Sequence, residues 1–236
     1  MADDQFQRTR LLLGKAGLNR LRAGTVAIVG CGAVGGFAIE ALARVGVGRL
    51  ILIDGDTVQV SNINRQLCAT HQTVGQPKTE VLRQRIADIC PDTQVITQTL
   101  FLNADNADAL LAARPDFVID AIDMIEDKAA LIMACQAHNI PLASSMGAAL
   151  KTNPAAIRTA LMNQTSVCPL AARLRRLLKD RGARLDFPCV YSVEHPSAGR
   201  EPGRQMGSLI TITGMFGLTL ANLAIQFLTR SIHDNT

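Results

Sequence analysis

The chain has no tryptophan and one tyrosine, and aromatic residues make up 3% of its 236 positions. That scarcity argues against a base-stacking platform for single-stranded nucleic acid, which needs several exposed rings along a basic groove. Its six cysteines (Cys31, Cys68, Cys90, Cys135, Cys168 and Cys189) form no CxxC pair, so a four-sulfur zinc site lacks its usual ligand spacing. The opening Met1-Ala-Asp-Asp-Gln is acidic and has no apolar secretion-signal core. A cytoplasmic protein with free thiols is the expectation. Internal repeats and low-complexity tracts are also missing. A strong excess of one charge is missing too: the net balance of +4 permits a polyanionic partner without demanding one. One apolar, uncharged run, residues 209–228, is long enough to span a bilayer. Thr211, Thr213, Thr219, Asn222 and Gln226 dilute its hydrophobicity, and Gly214 and Gly217 lower its helix propensity. A buried core helix is therefore expected, with a membrane anchor as the alternative.

What is present is a large supply of core: 48% of residues are hydrophobic and 19% charged. Residues 25–66 organise it. They read as a strand, a glycine turn (Gly30, Gly32, Gly35), an apolar-periodic helix, and a second strand ending in Asp54. The first glycine makes the tight turn, the second lets backbone approach a phosphate, and the third packs helix on sheet. The helix N-terminus offers unpaired N–H groups to an anion. Asp54 is placed for a ribose hydroxyl. The motif by itself does not separate NAD, FAD and ATP. The stretch that follows, Asp56, Asn62, Arg65, Gln66 and then Lys78, favours a triphosphate, because a guanidinium fork and an ammonium suit phosphate oxygens.

Further along, strands are expected at 94–99, 117–122 and 141–145, alternating with helices at 79–89, 103–113 and 126–139. This rhythm predicts an α/β fold: a doubly wound, mostly parallel Rossmann-like sheet with helices on both faces. Gly30, Asp54, Asp123 and residues 145–147 all fall at carboxyl ends of strands, where such sheets bind ligands. After residue 147 the rhythm changes. Strands at 155–162 and 189–193 are expected to add at an edge as C-terminal antiparallel strands. A basic helix lies at 169–180, with a mobile loop at 194–207 and the apolar helix last. The expected organisation is one domain: an N-terminal helical arm (1–22), a nucleotide-binding core (23–147) and a substrate and dimer region (148–236).

The set Gly30-Cys-Gly-Ala-Val-Gly35, Asp54-Gly-Asp56, Asn62-Ile-Asn-Arg-Gln66, Lys78 and Asp123 resembles the adenylating superfamily of ubiquitin-activating enzymes. Its bacterial members include the adenylyltransferases of thiamine and molybdopterin sulfur carriers. Within it, Arg8-Thr-Arg-Leu-Leu-Leu-Gly14, Ser144-Ser-Met-Gly-Ala-Ala149, Lys151, Pro154 and Thr165-Ser-Val-Cys-Pro-Leu-Ala171 resemble the branch that dehydrates threonylcarbamoyladenosine in tRNA. The resemblance implies ATP-dependent activation of a carboxylate by AMP transfer, followed by ring closure. It implies ATP and Mg²⁺ and, in some members, a monovalent cation (K⁺ or Na⁺).

By the same resemblance, Arg65 and Lys78 hold phosphates and Asn62 and Gln66 add neutral hydrogen bonds. Asp54 binds ribose and Asp123 binds Mg²⁺. Arg8 matches the second arginine of an N-terminal motif that reaches into a dimer partner's site; its first position is Gln5 here, so the motif is half present. A homodimer and a tRNA partner are implied, with a cysteine desulfurase or sulfur-acceptor protein as a further partner. Cys168 and Cys189 are the candidate thiols for a sulfur relay. Arg173, Arg175, Arg176 and Lys179 are the candidate tRNA contacts. Two alternatives stay open: an adenylyltransferase acting on the C-terminal carboxylate of a ubiquitin-like sulfur carrier, and a non-catalytic NAD-binding sensor or a dehydrogenase.

Overall fold

Alternation along five-residue strands sorts the apolar residues onto two faces of one sheet. In β1 (Thr25–Val29), Val26 and Ile28 face one side and Ala27 and Val29 the other. In β2 (Arg49–Ile53), Leu50 and Leu52 oppose Ile51 and Ile53 in the same way. Both faces are apolar, so both must be covered, and parallel pairing through helical crossovers achieves this. The computed structural model describes residues 4–196 and 206–230.

β3 (Gln94–Gln98), β4 (Phe117–Asp120), β5 (Leu142–Ser145), β6 (Ile157–Leu161) and β7 (Pro188–Ser192) complete a seven-stranded sheet of order β3-β2-β1-β4-β5-β7-β6. On one face lie α1 (Gln7–Ala23), α2 (Gly35–Arg44), α3 (Lys78–Ile89) and α7 (Ile210–Thr229). On the other lie α4 (Ala107–Leu110), α5 (Ile125–Ala137) and α6 (Pro169–Asp180). The doubly wound expectation is met. Of the two C-terminal strands only β6 is antiparallel; β7 runs parallel to β5 and carries β6 at the edge.

The apolar run is α7. It is long and apolar enough to cross a membrane, yet Ile212, Phe216, Leu220 and Ala224 are buried in the core, as the core-helix reading requires. Met215 and Leu218 on the same helix stay exposed. The helix expected at 103–113 is shorter. Asn103 Oδ1 accepts the amides of Asp105 and Asn106, and Asn106 Oδ1 accepts that of Asn103. These side chains compete with helix formation for the backbone donors. α1 bends at Gly14, whose φ of 69° leaves the helical region. The expected mobile loop at 194–207 lies mostly outside the described residues.

Candidate active site

Three parallel strands end side by side and set the site. Gly30, at the end of β1, has φ 91°, a region open to glycine. A Cβ there would also lie 2.6 Å from the Ala121 carbonyl oxygen in the β4–α5 connection. Gly35 opens α2 directly over the Gly30 carbonyl, where no side chain fits. Gly32 faces Gln66, with the amide nitrogen 3.6 Å from its notional Cβ. The turn therefore presents bare backbone at a helix start.

Asp54 ties this turn to the next loop. Its Oδ2 accepts the Cys31 amide at 2.6 Å and its Oδ1 the Asp56 amide at 2.8 Å. An ionised carboxylate has about four acceptor positions, so two remain for hydroxyls. Asp56 in turn holds Lys78. Nζ of Lys78 lies 2.5 Å from Asp56 Oδ2, and the Lys78 amide donates to the Asp56 carbonyl at 3.1 Å. Lys78 is the first residue of α3, and its side chain is 6% exposed against 53% for Asp56.

Between them runs the 56–77 connection, with one 3₁₀ turn at Val60–Asn62. Buried Asn62 accepts the Gln59 amide at 3.0 Å and so shapes that turn. Gln66 is buried beneath the glycine turn. Arg65 is half-buried; its Nη1 donates to the Ser61 carbonyl and to Asn64 Oδ1, both at 2.9 Å.

Asp123 lies exposed in the β4–α5 connection and makes no hydrogen bond among the described residues. The N-cap of α5 is Met124, so Asp123 does not spend its carboxylate on a cap. β4 stops at Asp120 rather than 122, because Asp120 Oδ1 accepts the Ile122 amide at 3.1 Å and turns the chain outward. Beneath it is a buried trio that sequence reasoning missed. Asp120 Oδ2 accepts from Lys128 Nζ at 2.7 Å and from Ser144 Oγ at 2.5 Å, and all three residues are fully buried. A lysine at an apparently ordinary helix position gave no signal of this. Only an acid at a strand end, eight residues upstream, hinted at it.

Gly30, Gly32, Gly35, Asp54, Asp56, Asn62, Gln66 and Lys78 are thus linked, with Arg65 on the same connection. The described residues hold no cluster of three or more His, Cys, Asp or Glu able to cage a metal alone. One open carboxylate at Asp123 fits a Mg²⁺ that takes its other ligands from phosphates and water.

Other expected site residues lie apart from this group. Arg8 is exposed on the first part of α1, next to Leu11 and Leu12, which are 77% and 84% exposed. Cys168 and Cys189 need correction as relay thiols. Cys189 is enclosed in β7 with its sulfur 3.6 Å from Met162 Sδ, and burial pushes its thiol pKa well up. Cys168 precedes Pro169 at the start of α6 but is buried against Gly147. Neither presents its sulfur at the surface.

The basic helix also needs correction. Arg173, Arg176 and Lys179 are exposed. Arg175 turns inward, four residues after buried Ala171 at the border of the buried stripe. Its Nη1 donates to the Thr165 carbonyl at 2.9 Å and to Thr165 Oγ1 at 2.5 Å.

Known proteins resemble this arrangement over nearly its whole length. The chain is 43% identical over 201 residues to the tRNA threonylcarbamoyladenosine dehydratase of Bacillus subtilis (strain 168), covering 85% of this chain and 79% of that relative. It is similar to the crystal structure of Escherichia coli tRNA N6-threonylcarbamoyladenosine dehydratase, TcdA, in complex with ATP. The TM-score is 0.91 at 35% identity, covering 98% of this chain and 96% of the other. Likeness to the molybdopterin-synthase adenylyltransferase of Escherichia coli (strain K12) is 39% over 136 residues, or 57% of this chain and 53% of that one. Residues 6–236 match the ThiF family model, and the chain belongs to the ThiF family.

Proposed function

We propose that this protein dehydrates N6-threonylcarbamoyladenosine in tRNA, using ATP to adenylate its carboxylate. The observation that carries the proposal is the convergence of the glycine turn, Asp54, Lys78 and the open Asp123 at one end of the sheet, in a chain whose likeness to TcdA spans nearly its full length.

A carboxylate is a poor electrophile because oxide is a poor leaving group. A carboxylate oxygen of the threonyl group attacks the α-phosphorus of ATP, and pyrophosphate leaves. The neighbouring carbamoyl group then closes onto the activated carbonyl. The C–O bond to AMP breaks, and AMP carries away the oxygen that substrate loses as water. Ring closure is intramolecular and needs no thiol, in keeping with six buried cysteines.

Positioning and charge stabilisation supply most of the acceleration in such a transfer. Lys78, steered by Asp56, and Arg65 hold the phosphate oxygens. Asn62 and Gln66 orient their neutral amides on the same loop, and Asp54 takes the ribose hydroxyls. Asp123 is the residue that holds Mg²⁺, which neutralises the departing pyrophosphate when bound. A monovalent cation is a further candidate cofactor.

The exposed Leu11 and Leu12 beside Arg8, with Met215 and Leu218 on α7, are apolar surface suited to a homodimer in which Arg8 reaches a partner's phosphates. Arg173, Arg176 and Lys179 are the tRNA-facing candidates. A cytoplasmic location accords with free thiols and a tRNA substrate. With Cys168 and Cys189 buried, a cysteine desulfurase or sulfur-acceptor partner would meet this protein at a surface other than these thiols.

The test is AMP formation from ATP and Mg²⁺ with and without tRNA, followed by mass spectrometry of the digested tRNA. The expected result is tRNA-dependent AMP and loss of one water from the modified nucleoside. AMP formation provoked instead by a carrier protein with a free C-terminus would replace this reading with protein-carboxylate adenylation.

A further inference from the structure

The sheet is open at the edge where its parallel strands begin, opposite the glycine turn. β1 and β2 pair over five residues, whereas β5 and β7 pair only at Ser144–Cys189 and Ser145–Val190. Val190 turns its backbone toward β5, where its carbonyl accepts the Met146 amide at 2.8 Å. Alternation puts Pro188 on the same side, and proline has no amide with which to continue the ladder. Below that point lies a cavity of about 500 Å³, a volume ordinary for a small-molecule site.

Both cores surface in it. Phe117 and Phe227 come from one face, their ring centroids 5.2 Å apart, and Leu142 and Phe187 come from the other. Leu161, which ends the edge strand β6, leaves 36% of its surface in water. Two exposed arginines complete the lining. Arg184 is fixed through its backbone: Gln136 Nε2 donates to its carbonyl at 2.8 Å, and Gln136 Oε1 accepts its amide at 3.0 Å. Its Nε stays 3.9 Å from Asp186 Oδ1, too far for a hydrogen bond. Arg230 caps α7, and its side chain makes no hydrogen bond or ion pair among the described residues.

We propose that this cavity binds a small amphipathic anion, a carboxylate on a medium-length apolar chain. The chain fills the gap between the two cores, and the carboxylate takes the guanidinium forks of Arg184 and Arg230. Asp186 is the one acid among the described lining residues, and two arginines outweigh it. The carbonyl end of α7 favours a cation, which Arg230 already supplies. Asp54 and Lys78 lie at the other edge of the sheet, so this occupant is distinct from the nucleotide, and the inference does not rest on the dehydratase reading.

The test is isothermal titration calorimetry of the full chain with decanoate, kept below its micelle concentration. Saturable one-site binding is expected, with decylamine at least tenfold weaker. Arg184→Gln combined with Arg230→Gln is expected to weaken decanoate binding about tenfold and to leave the denaturation midpoint of the free protein in place. Leu161→Trp, which fills the cavity from its rim, is expected to abolish binding with the circular dichroism spectrum unchanged. A wild-type protein with no saturable decanoate binding overturns the site. Equal binding of decylamine, or undiminished binding by the double variant, overturns the anionic head. Decanoate binding that fades as protein concentration rises means that a second copy of the chain covers the cavity, and overturns the small-molecule assignment.

Discussion

Two lysine–aspartate pairs follow neighbouring strands of the sheet and differ in their exposure. Lys78–Asp56 and Lys128–Asp120 close at 2.5 Å and 2.7 Å, and each lysine is on a helix that follows its acid's strand. In the first the lysine is sheltered while the acid is 53% exposed; in the second both side chains are at 0%. A charge with one side in water can exchange its partner for an incoming phosphate. A pair with no water on either side is committed, because separating it strands a charge in the interior. The difference suits Lys78 to the ligand-binding role proposed above and Lys128 to a place in the scaffold. Through Asp120, which also holds the Ile122 amide, the buried pair shapes the connection that carries Asp123.

The comparison breaks most visibly at Lys128. Lys128→Ala is expected to cost about 3–5 kcal/mol of stability, read as a drop in the denaturation midpoint. Replacing the pair together, Lys128→Met with Asp120→Leu, should recover most of that loss. A single variant as stable as wild type would remove the scaffold assignment. Lys78→Ala should do the reverse: AMP formation falls by about 10²–10³-fold, the scale of losing one group aimed at developing charge, while stability changes by no more than about 1 kcal/mol because Asp56 simply returns to solvent. A smaller effect is expected of Asp56→Asn, which loosens the tether and raises the KM for ATP severalfold with kcat nearly kept. Equal losses from Lys78→Ala and Asp56→Asn would show the pair acting as one fixed unit, as at Lys128.

The mildest case is a third, surface set. Glu40 accepts from Arg85 at 2.6 Å and from Arg44 at 2.8 Å. Burial raises its pKa, but the bonds to Arg85 and Arg44 outweigh it and leave the carboxyl below its ordinary value. A depressed carboxyl stabilises the fold above the unfolded value, about pH 4.3, and loses that contribution as pH falls through the folded value. Glu40→Gln should therefore cost at most about 1 kcal/mol near neutrality and nothing in strong acid. Denaturation midpoints at pH 7 and pH 3 check this.

The legible part of this molecule was its periodicity. Alternating strands, glycine spacing and an acid at the end of β2 carry their meaning locally, so the doubly wound sheet and the glycine turn could be read directly. Long-range pairing could not. Lys128 looks like any helix lysine until β5 brings Ser144 beside it. Arg175 looks like one of a basic row until the turn at Thr165 folds under it. Cys168 stood out because a basic helix follows it, and Cys189 because its short strand leads into the expected loop, although that strand's apolar residues already pointed inward. Val167 is quieter still: its φ of 62° is a strained conformation for a β-branched residue, imposed by the chain's path into α6.

The place of α7 has a consequence for the order of assembly. This helix docks along α2, with Gly217 against the Val34 carbonyl and Gly214 against Phe37, where the glycine turn ends and α2 begins. Its far end meets α1, where Arg20 donates to the Thr229 carbonyl across 209 positions. Contacts so distant in sequence form only after a costly loop closure. The glycine turn is thus made before the helix that buttresses it. During refolding, helical signal should rise well before the capacity to bind ATP, and the interval between the two is the time the last helix takes to find the first.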